Sequence, residues 1–296
     1  MVYDGTPSEG SNGYELTRRR YMQGTAAATA GALGVGESMA NPERVNTFSD
    51  EFLEKVESEE PVYGVSAALA GMDPVTVTSR LPTDWIWIDT EHASYDVREV
   101  REMMAVIPED TAGLVRIPGA HPKEVERVLD AGGDGVIVPK LRTVEQVQAF
   151  VDSAYYPPEG DRGVAGSPAS NFGMDFSREY MQQANEKVFV IIQVETQELI
   201  NNIDQVAQVE GVDCLLIGPA DLSSQLGDPL NTDTQQFQQA IQQTLSAAKQ
   251  QNVAPGYWVG GNDAQPFVED GWQVLSLGSD AGLLAAGVQD RLEQAP

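Results

Sequence analysis

The sequence predicts an α/β fold in which eight parallel strands close into a (βα)8 TIM barrel. Short apolar runs alternate strictly with amphipathic helical stretches, and this alternation indicates a parallel sheet covered by helices. Eight such runs occur and no glycine-rich dinucleotide-binding fingerprint accompanies them, which favours a closed barrel over an open doubly wound sheet. Residues 41–296 also have the usual length of a single barrel domain.

The eight predicted strands are short and rich in aliphatic residues. In chain order they are VYGVSAA, WIWID, GLVRI, GVIVP, VFVIIQVE, CLLIG, VAPGYWV and QVLSLG. Their length is that of buried strands rather than of helices. We therefore expect each run to lie in the wall of the barrel.

The stretches between these runs have the period of amphipathic helices. They include DVREVREMMAVI, HPKEVERVLDAG, TVEQVQAFVDSA, LINNIDQVAQ and DTQQFQQAIQQTLSAAKQQ. One connection is much longer and rich in Pro and Gly, YYPPEGDRGVAGSPASNFGMDFS, and a helical stretch, REYMQQANEK, follows it. A loop of that length in a compact domain is usually functional or an oligomer contact.

Residues 1–40 have the composition of a disordered tail that carries an export signal. Residues 17–22 read TRRRYM, a mildly apolar stretch of Ala, Gly and Thr follows, and Ser38-Met39-Ala40 offers small residues for cleavage. This order resembles a twin-arginine signal and predicts export by that route; a cytoplasmic location with a basic tail is the alternative. Neither this stretch nor any other is apolar and long enough to predict a membrane span.

The net charge of the chain limits the classes of molecule that it can bind. It has 45 acidic and 18 basic residues and a formal net charge of −27, so we expect it to repel nucleic acid and anionic lipid surfaces. Such acidity is typical of halophilic proteins, whose surface charges are screened by salt. Cys214 is the single cysteine and lies in an apolar run, which excludes an intrachain disulfide and predicts a buried, inert thiol.

Polar residues collect where the predicted strands end, which in a barrel is the face that carries the chemistry. The second strand ends in Asp89, with Glu91 and His92 just beyond, and the third carries Arg116. Gln193 and Glu195 are two residues apart on the fifth strand and therefore share one face. The sixth strand is followed by Gly218, Pro219, Ala220 and Asp221, and the fourth by Lys140.

These residue types predict a metal site that binds a 2-oxo acid and stabilises its enolate. Glu195 and Asp221 are hard oxygen ligands suited to Mg²⁺, Mn²⁺ or a similar ion, with positions left for water and substrate. A 2-oxo acid can chelate such a cation, which then stabilises the enolate formed when a neighbouring carbon–carbon bond breaks. Arg116 adds positive charge, His92 is the candidate base, and the amides of Ala220 and Asp221 can hold a carboxylate.

The same motifs in the same order resemble the metal-dependent 4-hydroxy-2-oxo-acid aldolase family. They are Asp89-Thr90-Glu91-His92, Val115-Arg116, YYPPEGDRGV, Gln193-Val194-Glu195 and GPADLS, within a similarity from about Val62 to Gly282. The resemblance implies a barrel of the phosphoenolpyruvate/pyruvate type and a carbon–carbon lyase that releases pyruvate and an aldehyde. It also implies a homohexamer with a swapped terminal helix.

The resemblance assigns roles to individual residues. It implies that Glu195 and Asp221 bind Mg, Mn or Co, that His92 is the catalytic histidine, and that Arg116 stabilises the transition state. Asp130 matches an aspartate that raises the basicity of the histidine, and Asp89 matches the aspartate three residues before it. The implied substrate contacts are Gln193, Gly218, Pro219, Ala220 and Asp221.

Three other interpretations stay open at this point. The same barrel could act on an acyl-CoA thioester, although no obvious basic cluster is present for the CoA phosphates. Lys140 could form a Schiff base in a metal-independent class I aldolase. The chain could also be a binding protein that has lost activity, but the presence of His92 and Arg116 disfavours this interpretation.

Overall fold

The computed structural model describes residues 50–261 and 263–295, which form a closed barrel of eight parallel strands in chain order. Each strand pairs with the next, and β8 pairs with β1 to complete the circle. The strands are β1 Val62–Ala67, β2 Trp85–Asp89, β3 Ala112–Arg116, β4 Gly135–Val138, β5 Phe189–Val194, β6 Cys214–Ile217, β7 Ala254–Trp258 and β8 Val274–Ser279. The predicted barrel is thus confirmed, with every predicted run in its wall.

Helices connect the strands. They are α1 Asp50–Glu57, α2 Met72–Thr78, α3 Val97–Met104, α4 Pro122–Asp130, α5 Val144–Ala154, α6 Arg178–Lys187, α7 Gln197–Asn201, α8 Ile203–Val206, α9 Pro219–Gln225, α10 Gln235–Gln251, α11 Gln265–Asp270 and α12 Asp280–Glu293. The long connection between α5 and α6 contains a short 3-10 segment, Pro168–Gly173.

Alternation along each strand divides the core into two layers. On β2, Trp85 and Trp87 pack inside the barrel, whereas Ile86 and Ile88 pack outward under the helices. On β5 the inward set begins with Phe189 and Ile191. Since side chains alternate along a strand, the next inward positions are Asp89 on β2 and Gln193 on β5. The apolar interior therefore ends in polar residues at the carboxyl ends of the strands.

The amino-terminal end of the barrel is closed by α1, a helix that the sequence analysis did not predict. The ring of Phe52 meets Phe189 edge to face, with 5.1 Å between centroids. Gly64 leaves room inside for Trp85, because a Cβ at Gly64 would come within 2.3 Å of the indole. The packed interior leaves the opposite, carboxyl-terminal mouth as the face available for a site.

The remaining predictions concern Cys214, membrane spans and the amino-terminal segment. Cys214 is fully buried, and burial raises the pKa of its thiol well above the ordinary value, as expected for an inert cysteine. None of the helices within residues 50–295 that the structure describes has the length and hydropathy needed to cross a bilayer. The predicted tail and export signal, residues 1–40, lie outside the described residues.

Candidate active site

Arg116 and Asp89 form the central ion pair of the barrel mouth. The two residues are register partners at the ends of β3 and β2. Arg116 donates from Nε to Oδ1 at 2.9 Å and from Nη2 to Oδ2 at 2.6 Å, and its guanidinium lies over the indole of Trp87 at 4.8 Å. Burial alone would raise the pKa of Asp89, but the bonds and charge of Arg116 hold it below its usual value. Asp89 is therefore an ionised carboxylate that fixes Arg116.

The turn that carries His92 is also held by Asp89. The Oδ1 atom of Asp89 accepts from the backbone N–H groups of Glu91 at 3.0 Å and His92 at 3.3 Å. Asp89 thus contacts the histidine through its backbone and not through the imidazole. The imidazole itself is 60% exposed at the mouth, where it can meet a substrate.

Glu91 is a site residue to which the sequence analysis gave no role. Its side chain is only 5% exposed and lies among three basic groups. Its carboxylate is 2.5 Å from Lys140 Nζ, 3.4 Å from Arg116 Nη1 and 3.7 Å from His92 Nε2. The carboxylate nearest to the candidate base is therefore Glu91. Its position directly before the histidine was visible in the sequence, but strand-end position alone did not separate it from Asp89.

Gln193 on β5 and Glu195, directly after its last residue, point into the mouth, as their two-residue spacing predicts. Glu195 is 2% exposed and accepts two hydrogen bonds, from the backbone N–H of Lys140 at 2.8 Å and from Gln193 Nε2 at 2.5 Å. Gln193 Oε1 in turn accepts from Arg116 Nη1 at 3.3 Å. A continuous chain of hydrogen bonds therefore joins the predicted metal ligand Glu195 to Arg116 and Asp89.

The pKa of Glu195 is raised to about 7. Burial is the main cause, and the negative charge of Asp221 is the next, while the N–H of Lys140 acts in the opposite direction. Near neutral pH, a carboxylate in this state gains strongly from a bound cation. Because the charge of Asp221 raises the pKa of Glu195, the two carboxylates interact electrostatically, as ligands of one shared metal would.

The Gly218–Asp221 segment begins α9 beside these carboxylates. Gly218 is the N-cap of that helix, Pro219 occupies its first turn, and Ala220 and Asp221 are exposed. A Cβ on Gly218 would lie 2.6 Å from Gln193 Nε2 and 3.2 Å from Glu195 Oε2. Glycine at this position keeps open the space next to Glu195, and the roles of Pro219, Ala220 and Asp221 as substrate contacts stay predictions.

Asp130 lies away from the mouth of the barrel. It is the last residue of α4, which starts after β3 and ends before β4, so it lies toward the amino-terminal end of the strands. Its carboxylate accepts from Arg162 Nη2 at 2.8 Å. In the described part of the chain, no contact links it to His92. A role for Asp130 in raising the basicity of His92 stays a prediction.

Lys140 does not have the properties of a Schiff-base amine. Its ammonium pairs with Glu91, and that hydrogen bond is the main cause of a raised pKa. The charges of Glu91, Glu195 and Asp221 shift the pKa in the same direction. A nucleophilic lysine needs a lowered pKa, so this environment opposes imine chemistry.

The donors at the mouth fit a cation that keeps several open positions. No group of three or more His, Cys, Asp and Glu side chains that could hold a metal exists within residues 50–261 and 263–295. That Glu195 and Asp221 bind the ion stays a prediction, in which water and substrate would complete the shell. Magnesium-type ions bind in this way, through one or two carboxylates with retained waters.

A cleft of about 450 Å³ lies at the other end of the barrel, lined by Lys55, Ser79, Arg80, Asp84 and Thr111 among others. The ammonium group of Lys55 in this cleft already forms two ion pairs, because Nζ lies 2.8 Å from both Glu51 and Asp84. The titratable groups that are joined by hydrogen bonds and ion pairs, among them Asp89, Arg116 and Glu195, lie instead at the carboxyl-terminal mouth. The mouth is therefore the candidate active site.

The closed barrel with acidic and basic groups at its carboxyl-terminal mouth defines the class of protein, a TIM-barrel enzyme. Residues 65–286 match the model of the HpcH/HpaI aldolase/citrate lyase family. The chain belongs to this family. It is therefore a carbon–carbon lyase.

Individual relatives agree with this assignment. The chain is 31% identical to 5-keto-4-deoxy-D-glucarate aldolase of Shigella boydii over 250 residues, which cover 83% of this chain and 96% of the relative. It is 37% identical to 4-hydroxy-2-oxovalerate aldolase of Rhodococcus jostii over 205 residues, 68% of this chain and 79% of the relative. A solved HpcH/HpaI family structure from Burkholderia cenocepacia superposes with a TM-score of 0.78 at 32% identity, covering 81% of this chain and 97% of that one.

Proposed function

We propose that the protein is a divalent-metal-dependent class II aldolase that reversibly cleaves a 4-hydroxy-2-oxo acid to pyruvate and an aldehyde. The observation that carries the proposal is the buried carboxylate of Glu195, which Gln193 links to Arg116 and whose pKa is raised to about 7 by burial and by the charge of Asp221. A buried carboxylate that feels a second negative charge, and to which no basic side chain donates a hydrogen bond in the described residues, is disfavoured unless a cation binds. The family membership and the aldolase names of the relatives support the same reaction.

The charges at the mouth support a divalent ion. Four carboxylates, Asp89, Glu91, Glu195 and Asp221, face two cationic side chains, Arg116 and Lys140. Once Glu195 is ionised, the difference of two negative charges is what Mg²⁺, Mn²⁺ or Co²⁺ would neutralise. When bound, the metal would stabilise negative charge on the carbonyl oxygen of the 2-oxo acid.

The side chains then have separate tasks. Arg116, held by Asp89 and Gln193, places a fixed positive charge where the enolate of pyruvate develops. His92 takes the proton of the 4-hydroxyl group as the C3–C4 bond breaks, so the aldehyde leaves and the bonding electrons stay on the pyruvate fragment. A proton added at C3 completes pyruvate. Gln193, Gly218, Pro219, Ala220 and Asp221 border the pocket for the 2-oxo acid.

A pyruvate-release assay over a panel of 4-hydroxy-2-oxo acids, with and without EDTA, tests the proposal. Activity that EDTA abolishes and Mg²⁺ or Mn²⁺ restores supports the metal-dependent reaction. Inactivation by borohydride in the presence of pyruvate would instead indicate a Schiff base on Lys140. Cleavage of acyl-CoA thioesters without pyruvate release would indicate the other lyase chemistry.

We further propose a homo-oligomer, with a hexamer as the expected size. Leu284, Val288 and Leu292 follow one another at four-residue spacing on α12 and are 61%, 51% and 64% exposed. Such spacing places them on one face of the helix. An apolar face of this kind on a terminal helix suits burial against a second copy of the chain.

Export and salt adaptation are also proposals. Residues 17–40 have the order of a twin-arginine signal, and mass spectrometry of the mature amino terminus separates export with cleavage from a cytoplasmic, uncleaved chain. The net charge of −27 supports function at high salt. A rise of the melting temperature between low and molar salt concentrations would support it.

A further inference from the structure

Lys140 has a fixed backbone and a partly exposed side chain at the mouth of the barrel. Its N–H binds the buried carboxylate of Glu195 at 2.8 Å, and its φ of 61° lies in the left-handed region. The side chain leaves this anchored position and is 57% exposed. An ammonium at this place is therefore held a short distance from the predicted metal ligand, on the side open to solvent.

The ammonium has capacity for a second anion. It has three N–H donors, and in the described residues Glu91 is the one acceptor hydrogen-bonded to it. The other cation of the mouth is not available in the same way. Arg116 is 11% exposed and is engaged by Asp89, Glu91 and Gln193. Lys140 is thus the cation that can meet the far end of a bound substrate.

The nearby Arg142 provides a contrast. It lies two residues further along the same loop and is also about half exposed, but its guanidinium pairs with Glu198 on α7 and not with a side chain of the mouth. The chain as a whole carries a net charge of −27 and repels small anions. A substrate with two carboxylates therefore needs a local cation at each end, of which the metal site would supply one.

We propose that the substrate carries a second carboxylate remote from its 2-oxo acid group, and that Lys140 Nζ binds this carboxylate. The proposal rests on the proposed function for the position of the 2-oxo acid end. The names of the relatives cover both possibilities, because a glucarate derivative is a dicarboxylic acid and an oxovalerate is a monocarboxylic acid. Lys140 assigns this chain to the dicarboxylic group.

A binding experiment tests Lys140 without turnover. The full chain with saturating Mn²⁺ is titrated calorimetrically with 2-oxoadipate and with 2-oxohexanoate, which have equal chain lengths and differ in the terminal carboxylate. We expect the wild type to bind 2-oxoadipate about 10-fold more tightly, equivalent to roughly 1.4 kcal/mol. In Lys140→Met this ratio should fall close to one, whereas Lys140→Arg should retain most of it.

The controls separate charge recognition from loop structure. Lys, Met and Arg are all unbranched at Cβ, so the three variants tolerate the positive φ of Lys140 about equally. Arg142→Gln removes a charge from the same loop and should leave the ratio at the wild-type value. The proposal is overturned if the wild type shows no preference, if Lys140→Met weakens both ligands equally, or if Arg142→Gln removes the preference.

Turnover distinguishes this inference from the proposed function. Values of kcat/KM are compared for 4-hydroxy-2-oxoheptanedioate and 4-hydroxy-2-oxoheptanoate, again a pair that differs in the terminal carboxylate. Pyruvate release from both with the same ratio in wild type and Lys140→Met contradicts the role of Lys140 and leaves the aldolase function standing. A Lys140-dependent binding preference without pyruvate release from either compound supports the role of Lys140 and contradicts the aldolase function.

Discussion

Arg116 and Asp89 are joined by two hydrogen bonds, of 2.9 and 2.6 Å, between register partners on adjacent strands. The paired geometry uses the planar fork of the guanidinium, which an ammonium group cannot reproduce. Because the indole of Trp87 lies on one face of the guanidinium, the orientation of Arg116 is set on two sides. The positive charge is therefore in place before substrate binds.

This geometry predicts that a positive charge at position 116 is not enough for full activity unless it is also correctly oriented. We expect both Arg116→Ala and Arg116→Lys to lower kcat by about 10²-fold or more, because a charge aimed at the developing enolate is lost or displaced. Steady-state pyruvate release measures the effect, and an unchanged melting transition serves as the folding control. A rate near that of the wild type in Arg116→Lys would show that orientation by Asp89 is not needed.

His92 should be required for proton transfer. Replacement of His92 with Ala is expected to lower turnover by at least ~10²-fold while Mn²⁺ binding is retained. The second histidine of the chain, His121, is a natural control, since its Nδ1 caps α4 by accepting from the N–H of Lys123 at 3.2 Å. His121→Ala should leave the rate unchanged. Equal losses in the two variants would remove His92 from the mechanism.

The raised pKa of Glu195 predicts a pH-dependent stability in the absence of metal. Its folded value of about 7 exceeds the ordinary 4.5, so its protonated form favours the folded state below pH 4.5 and this contribution is lost as the pH rises through 7. The shift corresponds to at most about 3 kcal/mol. In metal-free protein, the melting temperature of Glu195→Gln relative to wild type should therefore rise by several degrees between pH 5 and pH 8.

Calorimetric melting of both proteins at the two pH values, with EDTA present, measures this difference. Since all other titratable groups are shared, their effects cancel in the comparison. A difference in melting temperature between variant and wild type that does not change with pH would contradict a raised pKa of Glu195.

The apolar face of α12 predicts an assembly contact. The double variant Leu284→Gln, Leu292→Gln should dissociate the oligomer into smaller species, because it places polar groups in an apolar interface. Leu230→Gln is the matched control, since Leu230 is 78% exposed but lies outside α12. Light scattering coupled to size-exclusion chromatography measures the masses. Identical masses for wild type and the double variant would exclude this face as the contact.

Periodicity predicted the barrel and much of its mouth, because both depend on local pattern. Two-residue spacing was enough to place Gln193 and Glu195 on one inward face, and the strand runs were recognisable from their aliphatic content. The α1 plug was missed, since its eight residues gain their stability from the contact of Phe52 with Phe189, far away in the sequence. Helices this short are held by packing rather than by propensity.

The division of tasks among the carboxylates depended on long-range contacts. Asp89 and Glu91 are two residues apart at one strand end, and the resemblance singled out Asp89 and gave Glu91 no role. In the fold, Asp89 is taken by Arg116, 27 residues further on, and Glu91 is the carboxylate nearest the imidazole. Asp130 was grouped with the site by resemblance, but its helix carries it toward the opposite end of the strands.

Binding of Mn²⁺ to the full chain is the most direct test of the central claim, that Glu195 and Asp221 together hold a divalent cation. Titration followed by electron paramagnetic resonance should show one tightly bound Mn²⁺ per wild-type chain. Glu195→Gln and Asp221→Asn should each weaken binding by at least about 100-fold, whereas His92→Ala should bind as the wild type does. Wild-type affinity for Mn²⁺ in both carboxylate variants would contradict the account.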